Sequence, residues 1–161
     1  MPKLRHWLMA VLIAGAAACA PAPGADPAAT VEALYEPYLE NRTAGPLRES
    51  APLTEELRAL MRRAEEASNA SGEPMAAVDF NPIIDGQDWE LSDVSVELVA
   101  PPADGRAQVR ANFQNFGEDV ALTYDLRDQD GGWRIDNISG KNWTLRQLLA
   151  DEGIAPESEA E

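Results

Sequence analysis

From residue 94 onwards, apolar and polar residues alternate, and this pattern restricts the fold more than any other feature of the sequence. Three runs alternate at residues 94–99, 107–113 and 120–127, and a shorter fourth run includes Trp133 and Ile135. A period of two places every second side chain on one face of a β-strand. Short turn segments separate the runs: Ala103-Asp104-Gly105, Asn115-Phe116-Gly117-Glu118 and Asp130-Gly131-Gly132. Because such short connections join antiparallel neighbours, the pattern predicts a four-stranded antiparallel meander.

Two helices are predicted before the strands and a short one after them. Asp26-Pro27 is typical of an N-cap with proline at the first helical position, and Pro37 predicts a kink or an early stop in this helix. Thr54 is the expected N-cap of the second helix, and Asn142 or Thr144 that of the last. The apolar stripes are Val31, Leu34, Tyr35, Tyr38 and Leu39 in the first helix and Leu57, Leu60, Met61 and Ala64 in the second. The predicted fold class is α+β, with two N-terminal helices packed on a curved four-stranded antiparallel meander and a short C-terminal helix.

An export signal is predicted at the N-terminus. Lys3 and Arg5 precede an uncharged apolar run at residues 7–18, which is too short to cross a bilayer as a helix, since crossing takes about 20 residues. A short basic region, a short apolar region and a small-residue end are typical of a secretory signal. The run ends in Ala16-Ala17-Ala18-Cys19, which resembles the lipobox of bacterial lipoproteins. In that family, the cysteine becomes the first residue of the mature protein and carries a thioether-linked lipid.

Cys19 is the single cysteine of the sequence, and we expect it to be lipidated. Two other cleavages stay open: ordinary cleavage after Ala18, which leaves a free thiol, and cleavage after Ala20. Ala20, rather than an aspartate, follows the cysteine, and in enterobacterial-type sorting this implies the outer membrane. The predicted location is therefore the cell envelope, membrane-anchored and periplasm-facing, in the outer membrane.

Four parts are predicted along the chain. Residues 1–18 form a lipoprotein signal peptide, and residues 19–29 form the lipidated cysteine and a spacer rich in proline and alanine. Residues 30–150 form the α+β cone-like domain. Residues 151–161 form an acidic tail without an apolar pattern, which predicts disorder.

Charge and histidine content narrow the function classes. Without residues 1–18, 11 basic and 28 acidic residues remain, which gives a net charge of −17. Such a surface repels phosphate backbones, so we expect no nucleic-acid partner. His6, the single histidine, lies in the predicted signal. The mature chain would therefore lack a histidine base, a cysteine nucleophile and a conventional zinc site, and we predict no cofactor.

Several segments occur in a recognisable order: DFNPIIDGQDW, VRANFQNFG, VALTYDLRDQDGGWRIDNI and the closing LRQLL. Together with the helices, they resemble a bacterial envelope group, domain-of-unknown-function family 3828, over roughly residues 30–149. The resemblance implies a nuclear-transport-factor-like cone, in which helices pack into a strongly curved sheet. It also implies an exported, often lipidated protein, but no established reaction and no catalytic residue.

Three carboxylates, Asp79, Asp85 and Asp88, lie close together in the segment before the first strand. Carboxylate oxygens are the ligands that Ca²⁺ prefers, so a metal or another ligand is one interpretation. The spacing is not that of an EF-hand, however, because Pro82 and Ile83 stand where oxygen donors would alternate. The alternative is that Asp79 and Asp85 cap turns.

A cavity between sheet and helices is a second candidate site. Some proteins of the cone class are isomerases that use an aspartate base with a tyrosine donor, and an apolar pocket can raise the pKa of an aspartate. Tyr35, Tyr38 and Tyr124 could serve as donors. The alternative is core packing, since Tyr35 and Tyr38 share a helical face with leucines.

The polar sheet face is the third candidate and includes Arg110, Asp125, Arg127, Arg134 and Asp136. It is interpreted either as a solvated face or as a docking face for an envelope protein partner. We expect a non-enzymatic binding or interaction module, held to the membrane by its lipid anchor. The alternative is a small-molecule binder or carboxylate-based enzyme that uses a cone cavity. An inhibitor of an envelope-targeted toxin is a third possibility, based only on size and acidic charge.

Overall fold

The computed structural model describes residues 26–40, 47, 50–70 and 78–152. Its strands form one antiparallel sheet in the order β1-β2-β3-β4, which confirms the predicted α+β class. The predicted signal, Cys19 and residues 20–25 lie outside the described residues, as do residues 153–161 of the predicted tail. The elements are α1 Pro27–Leu39, α2 Glu55–Ala70, β1 Leu91–Leu98, β2 Arg106–Asn115, β3 Glu118–Gln129, β4 Gly132–Ser139 and α3 Leu145–Glu152.

Helix α1 begins and ends where its sequence predicts. The Asp26 carboxylate accepts a hydrogen bond from the amide of Ala28 at 2.9 Å, which makes Asp26 the N-cap. The helix ends two residues after Pro37, so the proline is followed by an early stop. Leu39, predicted on the buried stripe, is 53% exposed because it is the last helical residue.

Helices α2 and α3 are both capped by threonine. The Thr54 hydroxyl accepts a hydrogen bond from the amide of Leu57 at 3.2 Å. The Thr144 hydroxyl accepts one from the amide of Gln147 at 3.3 Å, so Thr144 rather than Asn142 caps the last helix. Each cap satisfies a donor of the first helical turn that has no partner within the helix.

One face of the sheet carries the core. Helix α1 packs on β1, β2 and β4, while α2 packs on α3 and β4. Alternate residues of the two central strands are buried, as their period of two predicts. Among the described residues, no helix is both long and apolar enough to cross a membrane. The buried residues of these strands are Ala107, Val109, Ala111, Phe113, Leu122, Tyr124 and Leu126.

A β-bulge interrupts the pairing of β4 at Asp136. Leu126 pairs with Ile135 and Asp125 pairs with Asn137, which leaves Asp136 as an extra residue without a partner in β3. Ile135 and Asp136 are both buried, and Asp136 is only 8% exposed. The interpretation of Asp136 as part of a solvated sheet face is therefore wrong. Thr54 and Arg146 cover its carboxylate, and the alternation of apolar and polar residues does not predict this coverage.

The Asp136 carboxylate joins three elements that are distant in the sequence. Its Oδ1 atom accepts hydrogen bonds from the Thr54 hydroxyl, at 3.1 Å, and from the Arg146 guanidinium of α3. Its Oδ2 atom lies 3.0 Å from Nη2 of Arg127 in β3. Arg146 Nε also donates to the backbone oxygen of Asp136 at 2.7 Å. A buried carboxylate is tolerated where it is paired in this way, and the pairs connect α2, α3 and β3 through β4.

Asp136→Asn is expected to lower the free energy of unfolding by about 2 kcal/mol, because two guanidinium groups lose their common counter-charge. This value is below the range for fully buried pairs, since both arginines are partly exposed. Urea denaturation would measure the change. The matched control is Asp125→Asn, at a half-buried carboxylate with one hydrogen bond from Gln108, and its effect should stay below about 0.5 kcal/mol. Equal losses in the two variants would contradict the role of Asp136.

Candidate functional site

The structure does not bring the three predicted carboxylates together. The Asp85 carboxylate accepts a hydrogen bond from the indole of Trp143 at 2.8 Å, and its φ of 52° places the residue at a tight turn. Asp79 and Asp88 are exposed, and each accepts a side-chain hydrogen bond through its backbone oxygen instead. Within the described ranges, no group of three or more histidine, cysteine, aspartate or glutamate residues could hold a metal ion.

Two asparagines, which the sequence did not single out as structural residues, hold this segment. The Asn81 side chain accepts from the amide of Ile83 at 3.1 Å, and its backbone amide donates to the oxygen of Gly86 at 2.8 Å. The Asn115 amide group donates to the backbone oxygen of Asp88 at 3.2 Å and accepts from the amide of Glu90 at 2.9 Å. These bonds hold the turn of the segment before β1.

Two of the three tyrosines bond to each other, and the third accepts a hydrogen bond from an amide. The hydroxyl oxygens of Tyr35 and Tyr124 lie 2.8 Å apart, and both residues are buried. Asn81 donates a hydrogen bond to the hydroxyl of Tyr38 at 2.6 Å. The rings of Tyr35 and Phe113 pack with centroids 5.5 Å apart. This geometry fits the alternative of core packing, because a hydroxyl bonded to another buried hydroxyl has its hydrogen bond inside the core.

Burial raises the pKa of both paired hydroxyls. For Tyr35, loss of hydration raises the pKa, and the hydrogen bond to Tyr124 opposes part of this effect. For Tyr124, burial again has the largest effect, and the proximity of Tyr35 raises the pKa further. Both hydroxyls therefore stay protonated at neutral pH, where each can be a neutral donor but not a base.

The polar sheet face lies opposite the core, and we call it the outer face. The register pairs Arg106 of β2 with Arg127 of β3, and Arg127 with Arg134 of β4. Three arginines thus stand side by side across three strands that are spaced about 5 Å apart. Like charges at directly opposed positions are destabilising. The predicted residues Arg110 and Asp125 lie on the same face, opposite Thr123 and Gln108.

The arginines of this row have few acidic partners. In the part of the chain that the structure describes, Arg106 and Arg134 make no side-chain hydrogen bond or ion pair. The Arg134 guanidinium lies over the backbone of Gly132, 3.8 Å from the place where a Cβ atom would be. Arg127 contacts Asp136, while its Nε atom is buried and has no hydrogen-bond partner among the described residues.

A groove of about 550 Å³ adjoins this row. It lies between the β1–β2 connection and the first residues of β2, and β3 forms its floor. None of the three tyrosines lines it. Its polar lining includes Arg106 and Gln108, neither of which the sequence analysis selected, together with Asp125, Arg127 and Asp136.

Comparison with known proteins gives one distant likeness. No family model and no curated protein matches the sequence. Among solved structures, the chain is similar to a phospholipid-binding protein from Ralstonia solanacearum in complex with a phospholipid, with 16% sequence identity and a TM-score of 0.36. The match covers 81% of this chain and 62% of the other, so this chain spans less than two thirds of that protein. A TM-score of this size does not establish a common fold, and we assign nothing from it to this chain.

We expect the domain to lose stability above about pH 10, where the tyrosines of the unfolded chain ionise. Tyr35 and Tyr124 have raised pKa values in the folded state, so the stability they contribute is complete below that pH and is lost as the pH rises through the folded values. Urea midpoints at about pH 8 and about pH 11 would measure this loss. The double variant Tyr35→Phe/Tyr124→Phe should show a smaller loss. Tyrosinate absorbance that shows all three tyrosines ionising near pH 10 before unfolding would contradict the prediction.

Proposed function

We propose that this protein is an exported lipoprotein, anchored through Cys19 to a membrane of the cell envelope and facing the periplasm. The support is the sequence of residues 1–19, in which a basic start and a short apolar run lead directly to the single cysteine. The order of segments over roughly residues 30–149 supports membership in family 3828, and Ala20 supports the outer membrane as its location. The same family resemblance supports a cone fold.

The position of α1 limits the distance between the domain and the membrane. Its N-cap is Asp26, and only residues 20–25 separate this residue from Cys19. Six extended residues span about 20 Å. A net charge of −17 after signal removal does not attract the chain to anionic headgroups, so the proposed lipid has to supply the membrane affinity.

We further propose that the domain is a non-enzymatic binding module and that its outer face is the binding surface. One observation carries this proposal: Arg106, Arg127 and Arg134 stand at paired positions across three strands of a strongly acidic chain. Placing like charges side by side costs stability, and an anionic partner would offset that cost. The buried tyrosine hydroxyls are hydrogen-bonded inside the core and give no comparable indication of an active site.

Cys19→Ser is expected to release the protein from the membrane or to leave it unprocessed, with the fold intact, because the lipid cannot attach to serine. Fractionation of the envelope, with circular dichroism of the purified variant, would measure both properties. Ala20→Ser is the matched control, since it changes a neighbouring residue without removing the thiol. Membrane retention of a correctly processed Cys19→Ser protein would refute the lipid anchor.

We expect a partner to shield the outer face from chemical labelling in the envelope. If a partner covers it, Arg110→Cys should react with a maleimide more slowly in intact envelopes than in the purified protein. Glu65→Cys is the matched control because Glu65 is exposed on α2, away from the sheet, and its labelling rate should be the same in both samples. Equal rates for Arg110→Cys in envelopes and in solution would show that this face has no partner there.

A further inference from the structure

The groove on the outer face combines a cationic wall with an apolar one. Arg106 and Arg127 stand on neighbouring strands as direct partners. The connection between β1 and β2 also lines the groove, through Ala100, Pro101 and Ala103. These three residues are exposed. The groove is therefore suited to a small ligand with an anionic group and an adjoining apolar part.

The guanidinium groups in the groove have more donors than the protein uses. Arg106 has no side-chain partner in the described ranges, whereas Arg127 pairs with Oδ2 of Asp136 and interacts electrostatically with Glu56. Asp136 cannot neutralise both, because its Oδ1 atom already accepts bonds from Thr54 and Arg146. Asp125, the other carboxylate of the groove, accepts a hydrogen bond from Gln108 at 2.9 Å. Neither carboxylate forms an ion pair with Arg106.

Two adjacent arginines fit a phosphate group better than a carboxylate. A guanidinium donates two parallel hydrogen bonds to two oxygens, and one such pair occupies both oxygens of a carboxylate. A phosphate monoester has three terminal oxygens in a tetrahedral arrangement. It can therefore accept hydrogen bonds from two guanidinium groups on strands about 5 Å apart.

We propose that this groove binds a single phosphate monoester, held by Arg106 and Arg127, with the apolar part of the ligand against Ala100, Pro101 and Ala103. The proposal rests on the proposed binding role of the outer face but does not depend on the lipid anchor. The phosphate could belong to a lipid headgroup or to a soluble compound, since both present the same group to the arginines.

The acidic surface is compatible with one bound phosphate but not with a polyanion. At physiological ionic strength, charges more than about 8 Å away are largely screened, so the potential inside the groove is set by the groups that line it, Arg106 and Arg127 with Asp125 and Asp136. A nucleic acid would extend beyond the groove across the acidic remainder of the surface and would be repelled there.

Binding of three probes to the full chain, purified in a non-ionic detergent, would test this proposal by calorimetry. The probes are inorganic phosphate, hexyl phosphate and hexanol. We expect saturable binding of hexyl phosphate and none of hexanol. Tighter binding of hexyl phosphate than of inorganic phosphate would indicate a ligand with an apolar chain, such as a lipid headgroup. Equal binding would overturn the proposed contact with Ala100, Pro101 and Ala103, and would leave a site for the phosphate group of a soluble compound.

Arg106→Gln is the decisive variant, because Arg106 has no role in the Asp136 cluster. It should weaken hexyl phosphate binding about tenfold or more, since it removes one guanidinium group and its pair of charge-assisted hydrogen bonds. Arg63→Gln removes the same charge from an exposed position on α2 and should change the affinity less than twofold. The urea midpoint of Arg106→Gln should not fall below that of Arg63→Gln, because the variant removes one of two directly opposed like charges. Absence of saturable phosphate binding, or equal losses in both variants, would overturn the phosphate site. Protection of Arg110→Cys in envelopes would still support the binding face in that case.

Discussion

The buried carboxylate of Asp136 is the constraint on which the arrangement of the helical layer depends. It contacts Thr54 before α2, Arg127 in β3 and Arg146 in α3, which are far apart in the sequence. The backbone repeats this connection, since Thr54 donates to the oxygen of Ile135 at 2.9 Å and Ile135 donates to the oxygen of Pro52 at 2.7 Å. Side-chain and main-chain hydrogen bonds therefore both hold the segment before α2 against β4. A buried charge is strongly destabilising without its partners, so these elements have to dock together.

Much of the sheet could be predicted, because its turns determine the register. Phe116-Gly117 forms a two-residue hairpin turn with φ angles of 51° and 80°, which pairs Asn115 with Glu118. Counting back along both strands from this turn pairs Arg106 with Arg127. The arginine pair could therefore have been predicted from the position of the turn. The helix caps Asp26 and Thr54 could also be predicted from the sequence, because a cap depends on residues within one helical turn.

The remaining features depend on contacts that local patterns do not encode. Asp136 is buried because Thr54 and Arg146, which are distant from it or outside the sheet, cover its carboxylate. Asn81 and Asn115 act through bonds to distant or main-chain atoms, which composition does not reveal. The aspartates also have a backbone role: among the described residues, four of the five non-glycine positions with positive φ are aspartates, and the fifth is Phe116. Aspartate tolerates this conformation, so part of the acidic composition serves turns rather than a ligand site. The aspartates with positive φ are Asp85, Asp93, Asp104 and Asp130.

Arg127 links the architecture to the proposed binding surface. One of its nitrogen atoms pairs with Asp136, and the same side chain lines the groove beside Arg106. A guanidinium has several N–H donors, so a phosphate in the groove need not displace the carboxylate. Asp136 would in any case keep its bonds from Thr54 and Arg146 on the other oxygen. Arg127 can therefore contribute both to folding and to ligand binding. Arg106 lines the groove but does not contact Asp136, so a substitution there tests binding separately from folding.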